Sequence, residues 1–449
     1  MAFRSFFYIE GIKMNVKKHF YKIISLIISL FITFSLQAAD WPQWRGPSLN
    51  GSSTVQNLPE SWRQTENILW VKSLPGPGGA TPIIYDGKIF VSSMADSSND
   101  MIALCFDVND GTLLWEENAG PSNVRLTNNN PASPSPVTDG TIVIFLYGNG
   151  QLAAFDFEGD SLWSRNLVDD YGPFTINFGY SASPLLFQDK LFISVMRRDS
   201  APGGGGAATP ELSESYILAL NSKTGDTIWK QPRPSNATSE SMESYTTPMP
   251  FNNNGRIEIL TMGSDHVIAS DPNDGKELWR YEYQTNKVRD ARIVPSILII
   301  DDLIIGARYK HHGVFALKAP SLDNSTGPTI EWELDDPSPD VSTPLYYNNQ
   351  LYVFNGIRGV LACVEPETGK IIWRNQINGR GPWRASLTGA DNKLYCISEA
   401  GEAFVLAAGD EFKVLFETKI DETPVRSSIA VANEKIFIRT AENLYCIGK

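Results

Sequence analysis

The chain has 449 residues, 42% hydrophobic and 20% charged, with 38 basic against 51 acidic side chains and a formal charge of −13. That acidic balance excludes nucleic acid and anionic membrane surfaces as natural partners, because both need a basic footprint. Length alone suggests two or three domains, but the internal pattern described below argues for one body.

Lys17, Lys18 and Lys22 precede the apolar run IISLIISLFITFSL (23–36), which ends in Gln37-Ala38-Ala39. A basic start, an apolar stretch too short to span a bilayer comfortably and small residues at its end predict a secretory signal over residues 1–38, cleaved after Ala38. Met14 is an alternative start that leaves residues 1–13 as an upstream extension, and an uncleaved anchor is the alternative reading of the run. No Cys follows it, so no lipid attachment is expected there. Cleavage takes away Arg4, Lys13, Lys17, Lys18, Lys22 and Glu10 and leaves 33 basic against 50 acidic residues, a formal −17. The expectation is an acidic periplasmic or secreted monomer with no transmembrane segment after signal removal.

Residues 39–66 form a lead-in containing DWPQWRGPSLNGSS (40–53). Two Trp among Pro and Gly cannot build a regular strand and must pack; the expected place is the side or end of the body that follows. From residue 67 onward the chain repeats itself, most cleanly in TPLYYNNQLYVFNGIRGVLACVEPETGKIIWRNQ (343–376). Four β-rich runs are separated by NNQ, GIRG and PETG, turn chemistry in which Asn and Gly tolerate positive φ. Such a four-stranded sheet cannot bury both faces alone and needs copies to stack on. Copies are predicted at Thr81–Asn118, Ser135–Leu167, Ser183–Gln231, Thr247–Gln284, Pro295–Leu334, Thr343–Gln376, Ala385–Ile420 and Ser427–Lys449.

The last strand of most copies carries a Gly four residues before a Trp, giving Trp115, Trp163, Trp229, Trp279 and Trp373 as structural docking residues. Trp332 has Pro328 in place of the Gly, and Phe416 replaces the Trp in EFKVLFETK. Trp70 stands at the N-terminus without preceding strands, while the C-terminal copy has three strands and stops. Pairing the two ends completes the count: an all-β, eight-bladed propeller of four-stranded antiparallel blades over 67–449.

The run ALNSKTGDTIW (219–229) resembles the tryptophan-docking repeat of quinoprotein (PQQ-type) propellers, and the likeness covers nearly all of the mature chain. No Trp is followed by Asp, which sets the repeat apart from WD-type blades. The lead-in resembles the segment that opens many secreted quinoprotein-like propellers. The resemblance implies two function classes. One is a non-catalytic binding or scaffold propeller, similar to the lipoprotein subunit of the outer-membrane β-barrel assembly machinery, which holds protein partners; this chain lacks that subunit's lipidation Cys. The other is a PQQ-dependent dehydrogenase, which implies PQQ with calcium, a vicinal Cys pair and an Asp base; no two Cys are adjacent here. The binding module is the expectation, with no cofactor and no catalytic residue; the quinoprotein oxidoreductase is its alternative.

Loops between strands one and two, and three and four, are short, whereas those between strands two and three and between blades hold the long excursions 118–133, 166–181, 197–215, 232–245 and 284–293. Only 318–329 breaks that rule. Binding residues are expected on the decorated end. Residues just before each inner strand crowd the axis there, which nominates Tyr180, Tyr245, Arg292, Trp383, Arg384 and Arg426 for an anionic ligand or a peptide segment. Pairing of these arginines with local acids such as Asp290 and Glu422 is the alternative.

Other motifs carry no chemistry. APGGGGAATP (201–210) lacks the Gly-Lys-Ser/Thr and helix of a phosphate loop. SDPNDGKELW and FDVNDGTLLW lack calcium-loop spacing and read as turns. His266, His311 and His312 are too few for a His-rich metal centre, so no metal is expected. No Gly-x-Ser-x-Gly elbow is present. Cys105, Cys363, Cys396 and Cys446 sit in strand patterns and are expected as free buried thiols; a Cys363–Cys396 bridge between neighbouring blades is the alternative.

Overall fold

The computed structural model describes residues 40–63, 66–122, 129–198, 214–284, 292–309, 312–323 and 325–449. Residues 1–38, where a secretory signal is expected, the glycine-rich stretch 201–210, Asp290 and His311 lie outside the described residues.

Eight four-stranded antiparallel sheets follow one another as blades, seven of them from consecutive strands. The eighth takes Ala430–Ala432, Lys435–Arg439 and Asn443–Ile447 and is completed by Ile68–Ser73. In that pairing Trp70 stands opposite Cys446 and Val71 opposite Tyr445. The ends of the chain therefore close the ring, as the incomplete C-terminal repeat predicts. Strands Gln350–Asn355 and Val360–Val364 are buried along their whole length, because each blade is covered on both faces by its neighbours; the outer strand Ile371–Gln376 is largely exposed. That is why the middle runs of each repeat are nearly continuous in apolar residues. Asn348-Asn349, Asp391-Asn392 and Asn433-Glu434 all hold positive φ in paired two-residue turns, the hairpin geometry these residue types favour.

The Gly and Trp of the repeat work across blades. A Cβ on Gly159 would stand 2.8 Å from the Trp115 ring, one on Gly225 2.6 Å from Trp163, and one on Gly369 2.6 Å from Trp332. Each Gly thus receives the indole of the preceding blade. The indole N–H then donates to a backbone carbonyl of that next blade: Trp115 to Phe157 at 3.1 Å, Trp163 to Ser222 at 2.9 Å, Trp229 to Pro272 at 3.1 Å, Trp332 to Pro366 at 2.7 Å and Trp373 to Gly409 at 2.9 Å. The ladder changes at three places, one of them Trp70, whose ring meets Gly111 while its N–H has no partner among the described residues. Trp279 faces the blade that lacks the turn Gly, and its N–H goes to the buried Glu258 carboxylate at 2.7 Å within its own blade. Phe416 faces the blade made from the two chain ends, and Trp62 of the lead-in packs edge-on against it with ring centroids 5.7 Å apart.

Opposite each docking aromatic, across a register shift in the outer pair, stands a small or β-branched residue: Cys105, Ala154, Ala219, Ala269, Ala316, Cys363, Val405 or Cys446. Three cysteines thus take the place of Ala beneath an indole. All four are free and buried, and the Cys363–Cys396 bridge is not formed. Burial pushes each thiol up to about 12, so none is a thiolate at neutral pH.

The lead-in departs from expectation. It does not stop at the side or end of the propeller but enters the axis. Trp41 exchanges backbone hydrogen bonds with Ile84 of the first inner strand at 2.8 and 2.9 Å. Pro42 O accepts from Thr138 N at 3.0 Å, and residues 51–53 bond Gly389 at 2.9 and 3.0 Å. Arg45, 3% exposed, donates to the carbonyls of Leu387, Pro344 and Asn50. The inner strands of blades one, two, six and seven are tied together by one segment. The reason is polar accounting: inner strands leave backbone groups unpaired toward the axis, and an irregular segment rich in Pro and Gly can meet them.

Candidate functional site

Each inner strand is preceded by a hydroxyl residue: Thr81, Ser135, Ser183, Thr247, Ser296, Thr343, Ser386 and Ser428. The hydroxyl of one blade accepts from the backbone N–H of the blade before it. Thr81 N bonds Ser135 Oγ at 2.9 Å, Ser135 N bonds Ser183 Oγ at 3.0 Å, and Thr247 N bonds Ser296 Oγ at 2.9 Å. The series continues through Thr343, Ser386 and Ser428 and closes where Ser428 N bonds Thr81 Oγ1 at 3.0 Å. Seven of the eight links of this belt are present among the described residues. Seven of the oxygens are used as acceptors, all but that of Thr247, and the hydroxyl protons of the belt have no acceptor among the described residues.

Above the belt, at the decorated end, lies an axial cavity of about 450 Å³. Its wall follows from strand periodicity. In extended backbone alternate side chains share a face, so the residues two before the belt face the axis as the belt does: Gly79, Ser133, Ser181, Tyr245, Arg384 and Arg426. Arg292 is four before Ser296 and also lines the cavity. Its floor includes Trp44 of the lead-in, which the sequence reading treated as a packing residue.

Of the six residues nominated from sequence, Tyr245, Arg292, Arg384 and Arg426 come together in this wall. Tyr180 and Trp383 do not. Each lies three residues before its belt hydroxyl, so its side chain turns the other way, into the core: Tyr180 is 1% exposed and donates to Ser194 O at 3.1 Å, and Trp383 packs edge-on against Phe354 and Phe404. The signal that separates the two groups is the parity of the offset from the Ser or Thr, together with the Ser/Thr-Pro start of five blades.

The arginines have local acidic partners, as the alternative reading of the sequence allowed; Asp290 lies outside the described residues. Arg384 and Arg426 share Glu399, each with an Nε 2.8 Å from its carboxylate. Burial pushes Glu399 upward, but the two guanidinium hydrogen bonds outweigh it and hold its carboxyl below the usual value. Arg292 bonds Glu240 at 2.9 Å, lies 3.8 Å from Asp340, and sits 5.1 Å over the Phe178 ring. Glu422 instead pairs with Lys419. Tyr245 gives its hydroxyl to Glu243 at 2.8 Å, which leaves only its ring for the cavity. The guanidinium groups are thus held in place by acids at the wall, while Asp340 is the one carboxylate of the lining among the described residues.

His266 Nδ1 lies 2.6 Å from Asp265 Oδ1, and Asp265 also accepts from Ser235 and Asn236. Asp265, His266 and Glu282 are close enough to share an ion, yet they stand outside the cavity lining. Asp265 is already fully engaged, which fits the structural role expected of His266.

Three comparisons with known proteins bear on this site. A family model described as outer membrane protein assembly factor BamB matches residues 58–194, 213–356 and 357–447. A quinohemoprotein alcohol dehydrogenase, ADH IIB of Pseudomonas putida, is 28% identical over 128 residues, 26% of this chain; the chain spans 18% of that relative's length. The crystal structure of BamB from Moraxella catarrhalis superposes with a TM-score of 0.57 at 14% identity, covering 85% of this chain and 97% of that one. Quinohemoprotein alcohol dehydrogenase from Comamonas testosteroni gives 0.66 at 13% identity, covering 92% and 81%. At these identities the structural likeness is one of fold.

Proposed function

The chain belongs to the family described as outer membrane protein assembly factor BamB, and from that premise we propose that it is a non-catalytic binding propeller of the periplasm or cell exterior, holding an anionic ligand or the acidic segment of a protein partner in its axial cavity. The observation that carries this reading is the convergence of Arg292, Arg384 and Arg426 on one cavity whose belt hydroxyls keep their protons to give. Guanidinium forks match carboxylate, sulfate and phosphate oxygens. The secretory signal expected over residues 1–38 supports export, and among the described residues no helix is long and apolar enough to cross a membrane.

The dehydrogenase relatives favour a second reading, an oxidoreductase using PQQ with calcium. The donor set does not fit that group. Calcium takes about 6–8 oxygen ligands, several of them carboxylate, whereas among the described residues the lining offers Asp340 as its one carboxylate, facing Arg292 at 3.8 Å. The four thiols are buried in separate strands, with no adjacent pair.

Titration calorimetry with sulfate, phosphate, succinate and an acidic peptide, at low and high salt, tests the proposal. Salt-sensitive binding to the parent protein and its loss in the triple variant Arg292→Gln, Arg384→Gln, Arg426→Gln, with folding retained, is the expected result. Equal binding by parent and variant sinks it. A thermal shift that saturates with PQQ and calcium, accompanied by alcohol- or sugar-dependent dye reduction, puts the oxidoreductase first.

A further inference from the structure

Trp44 is unlike the other indoles of the molecule. Eight of the eleven are buried, and Trp163 and Trp373 give their N–H to a neighbouring blade's carbonyl. Trp44 is only half-buried, and its N–H has no partner among the described residues. The Arg45 guanidinium carbon lies 5.8 Å from its ring centroid, and the ring also lines the cavity. A Ser or Gly at this position would satisfy the lead-in's backbone contacts equally well. The chain places instead a large apolar ring at the base of a polar cavity and leaves part of that ring uncovered.

Three chemistries meet around that floor. The indole face carries the negative side of a ring quadrupole and suits the weakly positive C–H face of a puckered ring. Arg292, Arg384 and Arg426 suit one carboxylate. The belt hydroxyls have protons to donate and Asp340 has oxygens to accept, which together suit a ligand bearing several hydroxyls. Asp340 also opposes a ligand with several negative charges, because its carboxylate stands in the lining itself. A cavity of about 450 Å³ is within the ordinary range for small-ligand sites.

We infer that the axial cavity takes a monoanionic sugar of the uronic-acid class, its ring face lying on Trp44, its carboxylate toward the wall arginines and its hydroxyls among the belt and Asp340. This rests on the anionic-ligand reading above and narrows it. It also gives the lead-in a role in recognition: the segment that ties four inner strands together supplies the platform on which the ligand lies.

Calorimetry of the signal-free protein with galacturonate, glucose and succinate separates the parts. Galacturonate should bind about tenfold tighter than glucose, which lacks the carboxylate, and than succinate, which lacks the ring. Trp44→Ala should weaken galacturonate by about tenfold and leave succinate unchanged, and Trp44→Phe should restore part of the loss. Galacturonate should quench a fluorescence component present in the parent and absent from Trp44→Phe, a readout that does not depend on the alanine variant folding. Galacturonate no tighter than succinate, or an unchanged affinity in both Trp44 variants, overturns the inference. If the arginine variant still loses succinate in that case, the anionic-ligand reading stands and only the sugar is removed. If neither the arginine nor the Trp44 variants change any binding, both fall.

Discussion

Gly225 shows how tightly single residues are held. Its φ is +74°, and an added Cβ would stand 2.6 Å from the Trp163 ring. Gly255 has φ +96° but nothing within 4 Å of such an atom. Gly255→Ala carries only backbone strain, about 1–2 kcal/mol; Gly225→Ala adds the displaced indole, for about 2–4 kcal/mol in all. Urea unfolding of the two variants checks the difference, and equal losses would mean that the indole yields freely. Asp421 acts through charge. Its carboxylate accepts from Thr440 Oγ1 at 2.8 Å, Asn443 Nδ2 at 3.0 Å and Tyr445 Oη at 3.1 Å. Burial pushes it up, but the hydrogen bonds from Asn443, Thr440 and Thr423 win and bring it down from 3.8 to about 2. Its contribution is complete above the unfolded value near 3.8 and is lost as pH falls from there toward about 2. Asp421→Asn should flatten that acid limb of the melting temperature; an unchanged limb between parent and variant would assign it to other carboxylates.

At the scale of the blade, the docking indoles are not equivalent. Trp163 donates to a neutral carbonyl and is partly exposed, so Trp163→Phe should cost about 1 kcal/mol. Trp279 donates to Glu258, whose side chain is 0% exposed and is otherwise held by Arg256 at 2.7 Å and Asn253 at 3.0 Å. Removing one of three partners from a buried carboxylate should cost more, about 2–3 kcal/mol. Equal thermal shifts for Trp279→Phe and Trp163→Phe would show that Glu258 finds another donor. The sequence marks this blade in advance, since Pro328 stands where the receiving turn would otherwise have Gly.

For the molecule as a whole, closure is the vulnerable step. Strand Asn443–Ile447 has Ile68–Ser73 as its outer neighbour. Deleting residues 39–75 uncovers that edge, the face beneath Trp70 and the axial contacts of Trp41 and Arg45 together. Exposed edges template association, so light scattering should show aggregation and calorimetry a lower melting temperature. A monomeric truncation with unchanged melting would contradict closure by the terminal strand.

The sequence by itself determined the blades, their number and the pairing of the chain ends. These follow from local chemistry: period-two apolar runs, Asn and Gly at positive-φ turns, and a Gly-Trp spacing repeated in register. Cys105, Cys363 and Cys446 were legible as small buried residues for the same reason, and the structure sets each opposite a docking indole. The arginines of the wall were legible because arginines before inner strands in an acidic chain stand out. Tertiary structure alone decided which way a nominated side chain turns, since one residue of offset reverses its face: Arg384 reaches the cavity and Trp383 the core. It alone decided that Glu399, Glu240 and Asp340 partner the arginines, because those acids come from other loops and blades. And it alone carried the lead-in to the axis, where unpaired backbone groups of separate inner strands, far apart in sequence, come close enough to be met by one short irregular segment.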